Sequence, residues 1–396
     1  KILMSFFKDV FLLGAITIFK WHLKSIYFFI KIFNKQKNNV FFLSRQSNEV
    51  PLNFKMLIEE LDKRNIKYSI ICKKVSTGIN AMIRNEKKKR VSLKEIKLGV
   101  EYYFNLYSQM KQIASSKVII IDGYNIVVSV LKHKKNTKII QLWHALGAIK
   151  KFGYQSIGYE DGINKKIAIA LCMHKNYDYV ISGSKEMNLF FAHAFDVPIE
   201  KVKDIGTPSA DYLLKENKSM VKKLFDKYPQ LKKKTNILYS PTFRSDGTDN
   251  IEKVISAIDT EKYNLIITFH PKNNNYINKT NVICINREEF LTYDVLRVMD
   301  YVITDYSALT MDACLLNKKL LLYVYDYEKY EKENGLNIDL FKELKNCVYK
   351  NIKDIIKIID NNQYDITSYN AFRKKYISQL DGNSTQKMMK LIEEAL

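Results

Sequence analysis

Short apolar runs recur along the chain and alternate with stretches of helical periodicity, and this alternation constrains the fold more than any other feature. Runs at residues 40–43, 68–72, 118–121, 138–141 and 179–182 read as strands. They are apolar nearly throughout rather than at every second position, as strands buried on both faces of a parallel sheet are. Between them lie helical stretches, such as residues 52–64 with Phe54, Leu57, Ile58 and Leu61 on one face, and others at about 103–114 and up to about 195. A second series of runs, at 236–239, 265–268, 282–284, 301–304 and 320–323, restarts the pattern, with a helix at about 307–316. Two such series predict an α/β fold of two doubly wound parallel-sheet, Rossmann-like domains with a cleft between them. The series join near residues 207–218, giving a domain over 39–210 and another over 211–396, preceded by a segment over 1–38.

That first segment is apolar and aromatic from residue 10 to 33, but its longest uncharged run covers only 10–19, short of the roughly 20 residues of a spanning helix. Lys20, Lys24 and Lys31 interrupt it, and no small-residue cleavage site follows, so neither a membrane span nor a signal peptide is expected. Phe11, Trp21, Phe28 and Phe29 beside those lysines suit an amphipathic helix lying in the headgroup layer of an anionic membrane. Lys and Arg number 64 against 42 Asp and Glu, a net charge of +22, which selects for anionic partners. The lysine-rich runs at 87–90 and 232–234 belong to no recognisable RNA or DNA module, so nucleic acid is not an expected partner. The five cysteines are widely spread without CxxC spacing, which argues for a reducing, cytoplasmic setting and against a thiolate metal site. P-loop, GxGxxG, GxSxG and HExxH patterns are absent.

Ligands of doubly wound sheets bind at the carboxyl ends of strands, and the unusual residues here sit at four such ends. His144, in Trp143-His144-Ala145, follows a buried strand and is placed to remove a proton from a hydroxyl. His270, fixed by Pro271, can hydrogen-bond a phosphate oxygen or a leaving group. Arg244 closes Ser240-Pro241-Thr242-Phe243-Arg244, and a guanidinium there suits bidentate phosphate binding. Thr304-Asp305-Tyr306-Ser307 leads into an apolar helix. There Ser307 and free backbone N–H groups attract anions, and Asp305 can serve as N-cap.

Taken together the motifs resemble the CDP-glycerol:poly(glycerophosphate) glycerophosphotransferases of teichoic acid synthesis. Trp143-His144-Ala145 with Lys150, residues 240–244, His270-Pro271, the block 294–312 and the continuation 316–330 each match the family's pattern in order. The resemblance implies a GT-B-type fold whose C-terminal domain holds the nucleotide. It implies transfer of glycerol phosphate from CDP-glycerol to a hydroxyl of a lipid-linked (undecaprenyl diphosphate) saccharide or polyol-phosphate acceptor, with release of CMP. It also implies a peripheral location at the cytoplasmic face of the cell membrane. By the same resemblance His144 and His270 are catalytic, and Arg244, Thr242, Ser240, Ser307, Asp305 and Lys150 bind substrate. No metal is expected on the protein, and no cofactor beyond a Mg2+ ion on the donor diphosphate. Ala145 stands where Gly is common, and Ser209 and Ala308 also depart from the glycerol-phosphate pattern. Ribitol-phosphate transfer from CDP-ribitol is therefore the alternative, followed by a GT-B glycosyltransferase using a sugar nucleotide.

Overall fold

The computed structural model describes residues 2–75, 93–242, 244, 250–267, 282–285 and 289–396, with residues 2–9 and 95 described by backbone alone. Two six-stranded sheets form, parallel in every pairing. The first orders its strands β2-β1-β3-β4-β5-β6. Its strands are β1 (Lys37–Ser44), β2 (Lys67–Cys72), β3 (Ser116–Ile121), β4 (Lys138–Gln141), β5 (Tyr179–Ile181) and β6 (Val202–Lys203). The second orders β12-β11-β10-β7-β8-β9. It comprises β7 (Thr235–Tyr239), β8 (Tyr263–Ile267), β9 (Ile283–Cys284), β10 (Tyr301–Thr304), β11 (Lys319–Tyr323) and β12 (Val348–Tyr349).

The central strands are buried almost completely, as their unbroken apolar runs require. In each sheet the chain first builds outward in one direction, then returns to the other side of its starting strand. The reversals lie between β1 and β3 and between β7 and β10. Such switch points open a crevice at the strands' carboxyl ends, and the residues singled out above follow β4, β7 and β10.

The two-residue edge strands β6 and β12 carry too little sequence to show the apolar run of the others. The helix expected at 103–114 is longer, Leu93–Ser115. Its first turns leave Leu93, Ile96 and Val100 exposed, so they lack the inward periodicity that marks a core helix.

The first helix, Ile2–Phe33, buries Leu23 and Tyr27 against the helix Leu93–Ser115 and its neighbours while leaving Phe11, Trp21, Phe28 and Phe29 exposed. Among the described residues no helix is long and apolar enough to cross a membrane. The last helix, Ser384–Ala395, returns to the first sheet, where Met388, Met389 and Ile392 share a core with Val40, Phe42, Phe54 and Leu57. The two halves are also stitched near the cleft. Lys150 bridges Leu336, Asn337 N–H donates to Ile149 O at 2.8 Å, and Lys151 N–H donates to Gly335 O at 3.0 Å.

Candidate active site

His144 lies three residues beyond β4 with its side chain exposed. Trp143 before it has φ of 59°, a left-handed conformation that costs a bulky residue on the order of 1–3 kcal/mol and concentrates at functional sites. Three contacts hold it there. Its N–H donates to Gln141 Oε1 at 3.0 Å, its ring stacks on Phe152 with centroids 4.8 Å apart, and Phe195 meets it edge-on. The backbone turn delivers the His144 ring to within 3.2 Å of the Asp122 main-chain carbonyl, through Nδ1. A carbonyl only accepts, so Nδ1 carries the hydrogen and Nε2 is left as the basic nitrogen.

Asp122 directly follows β3 and is buried. Ser44, at the end of β1, donates its hydroxyl to Asp122 Oδ2 at 2.7 Å, while Asp122 Oδ1 finds no hydrogen-bond partner among the described residues. Burial pushes the Asp122 carboxyl up to about 6, partly offset by the Ser44 hydrogen bond and the Arg45 charge. A carboxyl raised in this way favours the folded state below the ordinary carboxylate range and loses that contribution as pH rises through about 6. Asp122→Asn is therefore expected to stabilise the protein at pH 7.5 by roughly 2–3 kcal/mol more than at pH 4. Urea unfolding at the two pH values measures this, and an equal effect at both contradicts it.

Across the cleft, the loops after β7 and β10 lock together. Ser240 N–H donates to Ile303 O at 3.0 Å, and the Thr304 hydroxyl donates to Ser240 O at 2.7 Å. Asp305 takes Thr242 N–H at 2.9 Å, the Thr242 hydroxyl at 2.6 Å and the Arg244 Nη2 at 3.0 Å. Asp305 thus caps no helix. Leu309 N–H donates instead to the Ser307 hydroxyl at 3.2 Å, at the start of the helix Leu309–Leu315. The carboxylate turned away from the helix because the Thr242 and Arg244 donors converge on it from the neighbouring strand's loop.

Arg244 also donates through Nε and Nη2 to Asp326, at 2.8 and 3.2 Å, and through Nη1 to the Thr242 carbonyl at 2.8 Å. Its side chain is only 8% exposed. Its guanidinium lies 4.9 Å from the Tyr330 ring centroid, and Tyr330 stacks on Tyr306 at 3.8 Å. Burial would lower the Arg244 pKa, but the Asp326 and Asp305 carboxylates outweigh it and raise it further. Tyr306 donates its hydroxyl to Asp326 at 3.0 Å, and burial beside that carboxylate keeps the phenol firmly protonated. Two carboxylates around one guanidinium leave no surplus positive charge facing the cleft.

The two loop systems meet. A Cβ on Gly147, three residues past His144, would lie 2.8 Å from the Met311 Cγ of the helix Leu309–Leu315. One on Gly183 would lie 2.2 Å from the Leu146 carbonyl, so the end of β5 presses on the same loop. Lys150 is exposed at the stitch with Leu336. The structure therefore locks the Ser240, Thr242 and Arg244 loop to the Thr304 and Asp305 loop that precedes Ser307, and joins the His144 loop to this side through Gly147 and Met311 and, at Lys150, through Leu336, while His270 and Pro271 lie outside the described residues. Among the described residues no group of three or more His, Cys, Asp or Glu side chains could hold a metal ion.

The sequence profile of the CDP-glycerol:poly(glycerophosphate) glycerophosphotransferase family matches residues 25–394. The chain belongs to that family. Its relatives divide between two polyols. It is 31% identical over 290 residues to a teichoic acid glycerol-phosphate primase of Bacillus subtilis, covering 71% of this chain and 74% of the relative. It is 27% identical over 308 residues to a teichoic acid ribitol-phosphate primase of Bacillus spizizenii, covering 74% of this chain and 79% of the relative. A teichoic acid poly(ribitol-phosphate) polymerase of the same organism is 29% identical over 368 residues, or 89% of this chain. The match spans only 56% of the polymerase. Among solved structures, the wall teichoic acid polymerase TagF superposes with a TM-score of 0.69 at 18% identity, over 99% of this chain and 97% of that one. The UDP-GlcNAc 2-epimerase of Neisseria meningitidis reaches 0.55 at 14% identity, over 90% and 100%. These likenesses establish the GT-B-type architecture of this family member, two parallel-sheet lobes facing a cleft.

Of the cluster around Arg244, sequence reading picked out Arg244, Thr242 and Asp305 as site residues but not Asp326, which pairs from 82 residues away. Asp122 and Ser44 were also missed, although Ser44 ends β1 and Asp122 directly follows β3, so both lie at carboxyl ends of strands of the first sheet, the signal that marked His144.

Proposed function

We propose that this teichoic-acid-type transferase moves glycerol phosphate from CDP-glycerol to the hydroxyl of a lipid-linked saccharide or polyol-phosphate acceptor. The observation that carries this reading is the orientation of His144. Its Nδ1 is occupied by the Asp122 carbonyl, and its ring is exposed at the cleft with Nε2 as base. Nε2 takes the proton of the acceptor hydroxyl. The hydroxyl oxygen attacks the phosphorus that bears the polyol, the bond to the bridging oxygen breaks, and CMP leaves with the electron pair.

Ser240, Thr242 and Ser307 stand at the second sheet's switch point, where a nucleotide diphosphate binds in folds of this kind. Lys150 adds positive charge from the facing loop, and His270 contributes a hydrogen bond to the leaving phosphate. Arg244 and Asp305 serve as positioning residues that hold the Thr242 loop. A Mg2+ ion belongs, in this reading, to the donor's own oxygens. The nearby carboxylates Asp305 and Asp326 are engaged by Arg244, so they do not fit a metal and no step runs through one.

Ribitol phosphate is the second reading, favoured by the ribitol-type relatives and by Ala145 after His144. The exposed Phe11, Trp21, Phe28 and Phe29 of the first helix, with the exposed Lys24 among them, support catalysis at an anionic membrane surface, which in this reading is the cytoplasmic face of the cell membrane. One assay tests these points together. Release of CMP is measured with an undecaprenyl-diphosphate-linked acceptor in anionic or zwitterionic vesicles, with CDP-glycerol, CDP-ribitol or a UDP-sugar as donor. CDP-glycerol in anionic vesicles should give the highest rate. Preference for CDP-ribitol selects the second reading, preference for the UDP-sugar overturns both, and indifference to lipid charge removes the membrane role.

A further inference from the structure

Between the first helix and the first lobe lies an apolar cavity of about 260 Å³. Leu12, Ile16 and Phe19 of the first helix line one side and Tyr103 and Leu106 of the helix Leu93–Ser115 another. Ile167 and Leu171 close a third side. Their sequence neighbours on these elements are exposed apolar residues, notably Phe11, Ile18, Phe104 and Ile169.

Gly99 also lines the cavity, on the same helix face as Tyr103 and Leu106, and a Cβ built on it meets nothing within 4 Å. A glycine within a helix costs roughly 1 kcal/mol relative to alanine, and here it leaves the cavity open.

Arg45 and Tyr124 also line the cavity, and both lie close in sequence to residues that hold His144. Tyr124 lies two residues beyond Asp122, whose carbonyl holds the His144 ring. Arg45 directly follows Ser44, which holds the Asp122 carboxylate, and donates to Tyr124 O at 3.0 Å. Arg45 is the one cation among the described lining residues.

We propose that this cavity receives part of the hydrocarbon tail of the lipid-linked acceptor, with the Arg45 charge facing its anionic head. This rests on the functional reading above and names where that acceptor is held. Apolar walls favour a chain over water, a guanidinium favours a phosphate, and both border the loops that position the base.

The test is calorimetric titration of the full chain with farnesyl diphosphate, a tail with an anionic head that needs no donor. Saturable binding is expected. Gly99→Leu fills the cavity and should weaken binding about tenfold, the burial of roughly two methylene groups. Its melting temperature should not fall, because leucine is the better helix former. Arg45→Gln should weaken farnesyl diphosphate about tenfold and leave farnesol unchanged. Absence of binding to the unaltered chain, or equal binding by Gly99→Leu, overturns the proposal. So does equally tight, Gly99→Leu-sensitive binding of dioctanoyl phosphatidylglycerol, which would make the cavity a bilayer anchor. Because binding is read without donor, these failures are distinct from a failure to release CMP.

Discussion

Replacing His144 with alanine is expected to lower the rate of CMP release by about 10²–10⁴-fold, the range for loss of a positioned general base. The melting temperature should stay near that of the unaltered chain, because the residue is exposed and the hydrogen bond to the Asp122 main-chain carbonyl removes no side-chain partner from the core. Donor binding should also persist, since Ser240, Thr242 and Ser307 belong to the other lobe. The effect should thus fall on turnover rather than on the Michaelis constant for the CDP-polyol. The acid limb of the pH–rate profile, where a base is lost by protonation, should vanish with the residue. A His144→Ala protein that folds and retains full transfer would remove His144 from the chemistry.

The largest expected effect on stability lies at Arg244. Arg244→Ala leaves Asp305 and Asp326 facing each other, nearly buried, without their common counter-charge. Breaking a buried pair from one side costs roughly 3–5 kcal/mol, and here one side chain serves two carboxylates. Urea unfolding should register that loss. Arg244→Lys should recover little, since a single ammonium cannot span both carboxylates as the planar fork does. Adding Asp326→Asn to Arg244→Ala should restore part of the stability by removing one uncompensated charge. If Arg244→Ala instead unfolds like the unaltered chain while weakening the CDP-polyol, the guanidinium serves the donor directly and the locked cluster is not what holds the loop.

Much of this arrangement was legible beforehand. A strand such as β3 announces itself because Val118, Ile119, Ile120 and Ile121 can all be apolar only where both sheet faces are covered. Site residues were legible where they come just after such a strand, as Ser240 does directly after β7 and His144 three residues after β4. The sequence could not show which groups would meet. Arg244 reads as a free cation, yet spends its donors on Asp305 and Asp326, from the loops after β10 and β11. Asp305 reads as a helix cap, but hydrogen bonds from another strand's loop claim it first. The cavity beside the first helix depends on how that helix lies against its neighbours, which no local pattern encodes.

The return of the helix Ser384–Ala395 to the first sheet bears on how the protein is made. Met388, Met389 and Ile392 cover the Val40, Phe42 and Val118 side of β1 and β3. Strands β1 and β3, made well before that helix, therefore keep part of that apolar side uncovered, beyond what Phe54, Leu57 and Leu61 shield, until residues near 392 have emerged. Domains usually fold in the order they are synthesised. Here the first lobe must wait, partly uncovered, for a helix made after the second, and the interval in which it can aggregate is set by the time needed to translate the second lobe.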